Sequence, residues 1–119
     1  MNISDYNANY EKLADVFSLL AQPSRLQILM LIGKNEICVC HLMAMLGYRQ
    51  AYISQQLMGL RQAGYVKTRR QGRSIYYSLT DPALLQVIEL AAHSFNLPLP
   101  RPQAQNIPGC SILPQPSRS

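Results

Sequence analysis

Four glycines punctuate the middle of the chain: Gly33, Gly47 and Gly64 each stand where an apolar run ends, and Gly72 stands where a hairpin connection wants one. The segments between them read as helices and then as a hairpin. A first helix is predicted over about Tyr6 to Leu20, where Leu13, Val16, Phe17 and Leu20 recur at spacings of three and four. Pro23 suits the first turn of a second helix that runs to about Ile32 and ends at Gly33. A third helix spans about Val39 to Leu46, closed by Gly47, and a fourth about Gln50 to Ala63, closed by Gly64. Tyr65 to Thr68 and Ser74 to Leu79 alternate as strands do, with Arg69, Arg70, Gln71, Gly72 and Arg73 as the connection. A fifth helix opens after Asp81 or Thr80 as cap, with Pro82 in its first turn, and continues to about Phe95.

The predicted class is therefore α+β and mainly helical: about five helices plus a two-stranded β-hairpin wing, laid out as a winged helix-turn-helix. Residues 1–96 form this domain. The remainder, 97–119, holds six of the eight prolines (Pro98, Pro100, Pro102, Pro108, Pro114 and Pro116) and is expected to be an extended or flexible tail outside the packed core. A domain of this size is only marginally stable alone, which favours dimerisation. The apolar positions of the first helix (Leu13, Val16, Phe17) and of the last (Leu84, Val87, Ile88) are the expected interface. No stretch has the roughly 18 apolar residues of a membrane span, and the first residues lack the pattern of a secretory signal, so a cytoplasmic protein is expected.

Charge is segregated along the chain. Between Ile37 and Thr80 lie Arg49, Arg61, Lys67, Arg69, Arg70 and Arg73 and no acidic residue; Asp5, Glu11, Asp15, Glu36, Asp81 and Glu89 all lie outside. Solvated surfaces normally intersperse the two signs, so this arrangement points to a nucleic-acid-binding face. A recognition helix presents its early residues to base edges in the major groove, here Gln50, Ala51, Tyr52, Ser54 and Gln55. The amides of Gln50 and Gln55 offer the donor and acceptor that adenine requires, and the Ala51 methyl matches a thymine methyl. Arg69, Arg70 and Arg73 are assigned to the phosphate backbone of double-stranded DNA, a role that gives affinity without sequence preference.

The run Glu36-Ile37-Cys38-Val39-Cys40-His41-Leu42 places two cysteines at the start of the third helix, and a third, Cys110, stands in the tail. Thiolates are favoured at a helix start by the free amides and the dipole. Cysteines two apart in a regular helix point to nearly opposite sides, so joint chelation needs the first to lie outside the helix or the turn to unwind. Small buried hydrophobes are the plain alternative. An odd number of cysteines in a cytoplasmic chain favours reduced thiols, available to soft metals or redox chemistry, over a structural bridge. Cys110 lies thirteen residues past Leu97, and an extended segment of that length spans roughly 40 Å, so Cys38 of either subunit is within reach. It is either a third ligand or a tail thiol without a role. His41 and His93 with Asp81 and Glu89 make an incomplete zinc site, and His93 reads as a surface or interface residue. Tyr65, Tyr76 and Tyr77 belong to wing and core packing. No nucleophile with a base, phosphate-cradling loop or carboxylate pair is present, so an enzyme is not expected.

From about Leu13 to Leu90 the ordered set of Leu20-Ala21-Gln22-Pro23-Ser24-Arg25-Leu26-Gln27-Ile28-Leu29, Ile37-Cys38-Val39-Cys40-His41-Leu42, Ser54-Gln55-Gln56-Leu57 and Gly72-Arg73-Ser74-Ile75-Tyr76-Tyr77-Ser78-Leu79 resembles the ArsR/SmtB family of metal-responsive repressors. The resemblance implies a winged-helix homodimer joined through its first and last helices. It implies a repressor that leaves operator DNA when As(III) or Sb(III), as the inducer ligand, binds Cys38, Cys40 and Cys110; no organic cofactor is implied. The family's serine-x-histidine-leucine reads Ser54-Gln55-Gln56-Leu57 here, and Arg49 stands where a helix cap is common. Two other readings of the thiols stay open: a redox or persulfide-sensing repressor of the same fold, with Cys38 or Cys40 pairing with Cys110, and a thiol oxidoreductase. The second lacks the βαβ context around its cysteine pair.

Overall fold

Backbone hydrogen-bonding capacity decides where each segment begins and ends. The computed structural model describes residues 3–100 and 112–114. Helix α1 (Ile3–Leu20) is followed by α2 (Pro23–Ile32), which Pro23 starts without wasting an amide and Gly33 ends. Helix α3 (Val39–Leu46) closes on Gly47 at φ 76°, a left-handed conformation that costs glycine nothing, with the Gly47 amide donating to the Met43 carbonyl at 2.8 Å. Helix α4 (Gln50–Gln62) follows, and Gly47, Tyr48 and Arg49 are the turn of the helix-turn-helix. The last helix, α5 (Ala83–Ser94), has Pro82 at its N-cap, one residue later than the expected Asp81 or Thr80, and Asp81 Oδ1 accepts the Ala83 amide at 2.9 Å from just outside.

The sheet is larger than the expected hairpin. Strands β2 (Val66–Gln71) and β3 (Ser74–Leu79) are joined by a two-residue turn, Gly72 and Arg73, with Gly72 at φ 61°. Arg69 and Arg70, expected in the connection, are strand residues instead, because pairing runs out to Gln71 opposite Ser74. Two further strands were not expected. β1 (Asn35–Cys38) pairs antiparallel with β3, and β4 (Ile112–Pro114) pairs antiparallel with β1, giving the order β2-β3-β1-β4. A four-residue strand shows too little alternation to stand out from a loop, and what makes it a strand is the free edge of β3 beside it. Within the tail, 112–114 adds to the sheet; Cys110 lies outside the described residues.

Ile28, Leu29 and Ile32 of α2, Ile37 of β1, Leu42 of α3, Ile53, Leu57 and Leu60 of α4 and Leu79 of β3 are fully buried together. Each helix of the helix-turn-helix thus faces the same core as the sheet. Of the residues expected to meet a partner, Ile88 is already buried and Leu84 and Val16 are half-buried within the chain, while Leu13 (50%), Phe17 (52%) and Val87 (42%) remain exposed. Among the described residues no helix is long and apolar enough to cross a membrane. Because Leu57 holds α4 to this core, Leu57→Ala should lower unfolding free energy by roughly 2–5 kcal/mol. Urea titration followed by circular dichroism measures it; a loss within error of zero would remove α4 from the common core.

Candidate nucleic-acid interface and thiol site

The exposed side of α4 carries the residues assigned to base edges. Gln50, Ala51 and Gln55 are exposed and Ser54 is half-buried, whereas Ile53, Gln56 and Leu57 turn inward. Tyr52 is divided between two roles. Its hydroxyl lies 2.9 Å from the Ser24 hydroxyl on α2 and its ring packs 5.0 Å from that of Tyr48, so it braces the recognition helix even with 39% of its surface exposed. A second brace runs from Arg25: its Nε donates to Gln56 Oε1 at 2.8 Å and its Nη1 to the Leu19 carbonyl at 3.1 Å. Tyr48 adds a third, donating to Gln27 Oε1 at 2.8 Å. Sequence reasoning missed Ser24, Arg25 and Gln56 as supports, although Ser24-Arg25 and Gln56 all stand in the motifs that carried the resemblance.

The wing arginines separate into two kinds. Arg70 and Arg73 are exposed, as are Lys67, Arg49 and Arg61. Arg69 is engaged: its Nε and Nη2 form a fork on the carboxylate of Glu36, with contacts of 2.9, 2.9 and 3.2 Å, and its Nη1 donates to Gln71 Oε1 at 3.0 Å. The hydrogen bond to Glu36 raises the guanidinium pKa further above its ordinary value. Glu36, which the charge count placed outside the basic segment, is folded into it with its side chain only 4% exposed. Arg69 keeps 45% of its side chain exposed but has its charge paired with Glu36.

The thiol pair sits where β1 becomes α3. Cys38 is the last residue of the strand and the N-cap of the helix, with extended backbone (φ −84°, ψ 163°), and Cys40 lies in the first helical turn. The first cysteine thus stands outside the helix, the condition under which two such residues can act together, and the structure joins their sulfurs in a disulfide across a Cα separation of 5.4 Å. The bridge departs from the reduced thiols expected here, and the partner of Cys38 is Cys40 where the redox alternative named Cys110: the strand–helix junction turns the two side chains toward each other. Cys38 is buried and Cys40 is exposed, so an agent from solvent meets Cys40 first. Among the described residues, no third His, Cys, Asp or Glu side chain joins the pair in a group that could hold a metal ion.

His41, next in sequence, points the other way. It is fully buried, and neither ring nitrogen has a hydrogen-bond partner. His93 is exposed on α5. Tyr76 is buried in the sheet, and Tyr65 and Tyr77 pack against the core, the places expected of them.

A family model for bacterial regulatory proteins of the arsR family matches residues 22–68, which covers α2, β1, α3, α4 and the start of β2. A transcriptional repressor SmtB homolog of Synechocystis is 40% identical over 84 residues, a match spanning 70% of this chain and 64% of that relative's length. The solved structure of reduced HlyU from Vibrio cholerae superposes with a TM-score of 0.68 at 31% identity, covering 76% of this chain and 96% of the other. The chain belongs to the ArsR/SmtB family of transcriptional regulators. A homodimeric winged helix-turn-helix DNA-binding domain of Mycobacterium bovis adds a TM-score of 0.67 at 26% identity, covering 84% and 93% of the two chains. The members it matches are DNA-binding regulators and not enzymes.

In this family member the buried imidazole carries a pH signature. Burial pushes the His41 pKa below its ordinary value of 6.5 by disfavouring the charged ring. Below that pH the unfolded chain takes up a proton that the folded protein resists, so the stability fully present above 6.5 is lost as pH falls, until the folded ring itself protonates. His41→Leu should flatten the dependence of melting temperature on acidity below neutrality relative to wild type. Parallel slopes for the two proteins would mean that His41 is not the group responsible.

Proposed function

We propose that the protein is a cytoplasmic, dimeric repressor that binds double-stranded operator DNA in the dithiol state and leaves it when As(III) or Sb(III) binds Cys38 and Cys40, with Cys110 as third ligand. The observation that carries this reading is the meeting of the two sulfurs at the first turn of α3, the helix that packs beside α4. Soft thiolates suit a trivalent arsenic or antimony ion, which supplies up to three bonds to sulfur. Cys38 and Cys40 would hold it, and exposed Cys40 would be the point of entry. Any change in the backbone of Cys38 is a change in the cap of α3, and α3 supports α4.

Gln50, Ala51, Ser54 and Gln55 are the residues we assign to base edges, with Tyr52 at their margin; Arg70 and Arg73 take the phosphates, and Arg69 serves the wing from within. The tail contributes Cys110 from the same subunit in this reading. Ile112 is paired with Ile37, the residue before Cys38, and Cys110 is two residues from Ile112, a tether of about 7 Å at full extension. The joined sulfurs also favour a second reading. In it a polysulfide or peroxide takes two electrons and two protons from the dithiol, becoming hydrogen sulfide and a shorter polysulfide or two waters, and the Cys38–Cys40 bridge that remains is the off state.

Operator titration of the reduced protein against arsenite, antimonite and polysulfide separates the two. Cys38→Ser or Cys40→Ser should leave operator affinity intact and abolish release by arsenite, and Cys110→Ser should respond only at higher arsenite. Release of either of the first two variants at wild-type arsenite levels would rule out the switch at α3; release of the wild type by polysulfide alone would select the redox reading.

For the dimer, exposed Leu13, Phe17 and Val87 supply the apolar area. Val87→Asp should sediment as a monomer and lose operator binding. An unchanged dimer would take α5 out of the interface.

A further inference from the structure

β1 and β2 are not neighbours; β3 lies between them. The thiol pair ends β1, whereas the exposed wing arginines belong to β2 and its turn. Something must connect the two if an event at the sulfurs is to reach the wing.

One row of side chains does so. In the β1–β3 register Cys38 stands opposite Tyr76, and in the β2–β3 register Tyr76 stands opposite Arg69. Directly opposed residues share a face, and residues two apart on a strand share it too, so Glu36, Cys38, Tyr76 and Arg69 all lie on the side away from Ile37 and Tyr77. The Arg69 guanidinium carbon lies 6.0 Å from the centre of the Tyr76 ring, and from there its fork reaches the Glu36 carboxylate. The ion pair is thus a side-chain tie that bypasses the central strand. It joins the wing to β1 two residues from Cys38.

We infer that Glu36, acting through Arg69, is the positioning residue that couples the state of the Cys38–Cys40 pair to the posture of the wing. Three features support this. Glu36 is nearly inaccessible, so its carboxylate is committed to Arg69 and not to solvent ions. The fork is directional, and rotation of β1 is passed on as rotation of the guanidinium plane. Arg69 also holds Gln71, the last residue before the turn that carries Arg73, so the tie extends to the tip of the hairpin. The inference rests on the thiol pair being the sensing site, and not on whether the agent is an ion or an oxidant.

The test compares amide resonances of Arg70, Gln71, Gly72 and Arg73 in the full chain with the Cys38–Cys40 bridge closed and then opened by dithiothreitol, which supplies two electrons and two protons and is itself left as a cyclic disulfide. No DNA is needed. In wild type the wing resonances should move with the thiol state; in Glu36→Gln they should stay in place, while the resonances of α3 still move. Arg69→Lys, which keeps the charge but loses the fork, should fall between, and the double variant should equal Glu36→Gln alone. On operator DNA, the ratio of affinities between dithiol and disulfide forms should drop roughly three- to thirtyfold in Glu36→Gln, as expected for one member of a coupling chain. Wing resonances that never respond in wild type, or that respond in Glu36→Gln as fully as in wild type, overturn the proposal. Failure of arsenite or polysulfide to release wild-type protein from the operator would instead sink the functional reading, with the coupling still decided by the resonances.

Discussion

The pairing of one short strand with β3 is the constraint on which the rest depends. Asn35–Cys38 is only four residues long, and no isolated strand of that length is stable. Docked on β3 it has four consequences. It anchors the wing to the helical core through buried Ile37 opposite Tyr77. It carries Glu36 to Arg69. It holds Cys38 in extended conformation immediately before α3. It also leaves an edge on which 112–114 pairs. Helix start, thiol pair, wing and tail strand all take their positions from this one ladder.

Electrostatics follow the same geometry. A linear count makes the central segment a block of positive charge, but folding inserts one carboxylate into it. Only the Glu36 side of the ion pair with Arg69 is buried, and Arg69 keeps 45% of its side chain in solvent, so screening limits what the pair adds to stability. What the pair gives is directionality, because the fork fixes the guanidinium plane against a carboxylate that has lost its water. The sheet thereby divides its arginines: Arg69 is paired with Glu36, while Arg70 and Arg73 are exposed.

Much of this was legible in the residues. Helices α2 and α3 and strand β3 fall on their expected bounds, because Pro23, Gly33, Gly47 and the hairpin glycine Gly72 are local signals that act within a few positions. The missing elements are non-local. Nothing within Asn35–Cys38 or Ile112–Pro114 specifies a strand; each is made by an edge supplied by residues distant in the chain. The site divides in the same way. The closeness of Cys38 to Cys40 and the outward-facing Gln50, Ala51 and Gln55 of α4 are local features that the sequence carries. The bracing of Tyr52 by Ser24, of Gln56 by Arg25 and of Arg69 by Glu36 is not local, because each joins positions separated by 28 to 33 residues.

The length of α3 explains why a small chemical event there can have a large effect. Isolated helices shorter than about 12–15 residues are marginal in water, and α3 has eight. Its stability is therefore borrowed from tertiary packing, chiefly buried Leu42, while its neighbour His41 gives back part of that gain by burying two unpaired nitrogens. No side chain caps its first turn, so the cross-link from Cys38 to Cys40 stands where a cap would be. A hundredfold change in DNA affinity corresponds to only about 2.7 kcal/mol. Bond making or breaking at the sulfurs readily supplies that much, and a helix already short of internal stabilisation is the element least able to absorb it locally. The elements tied to it are α4, through direct packing, and β1, which pairs with the wing strand β3.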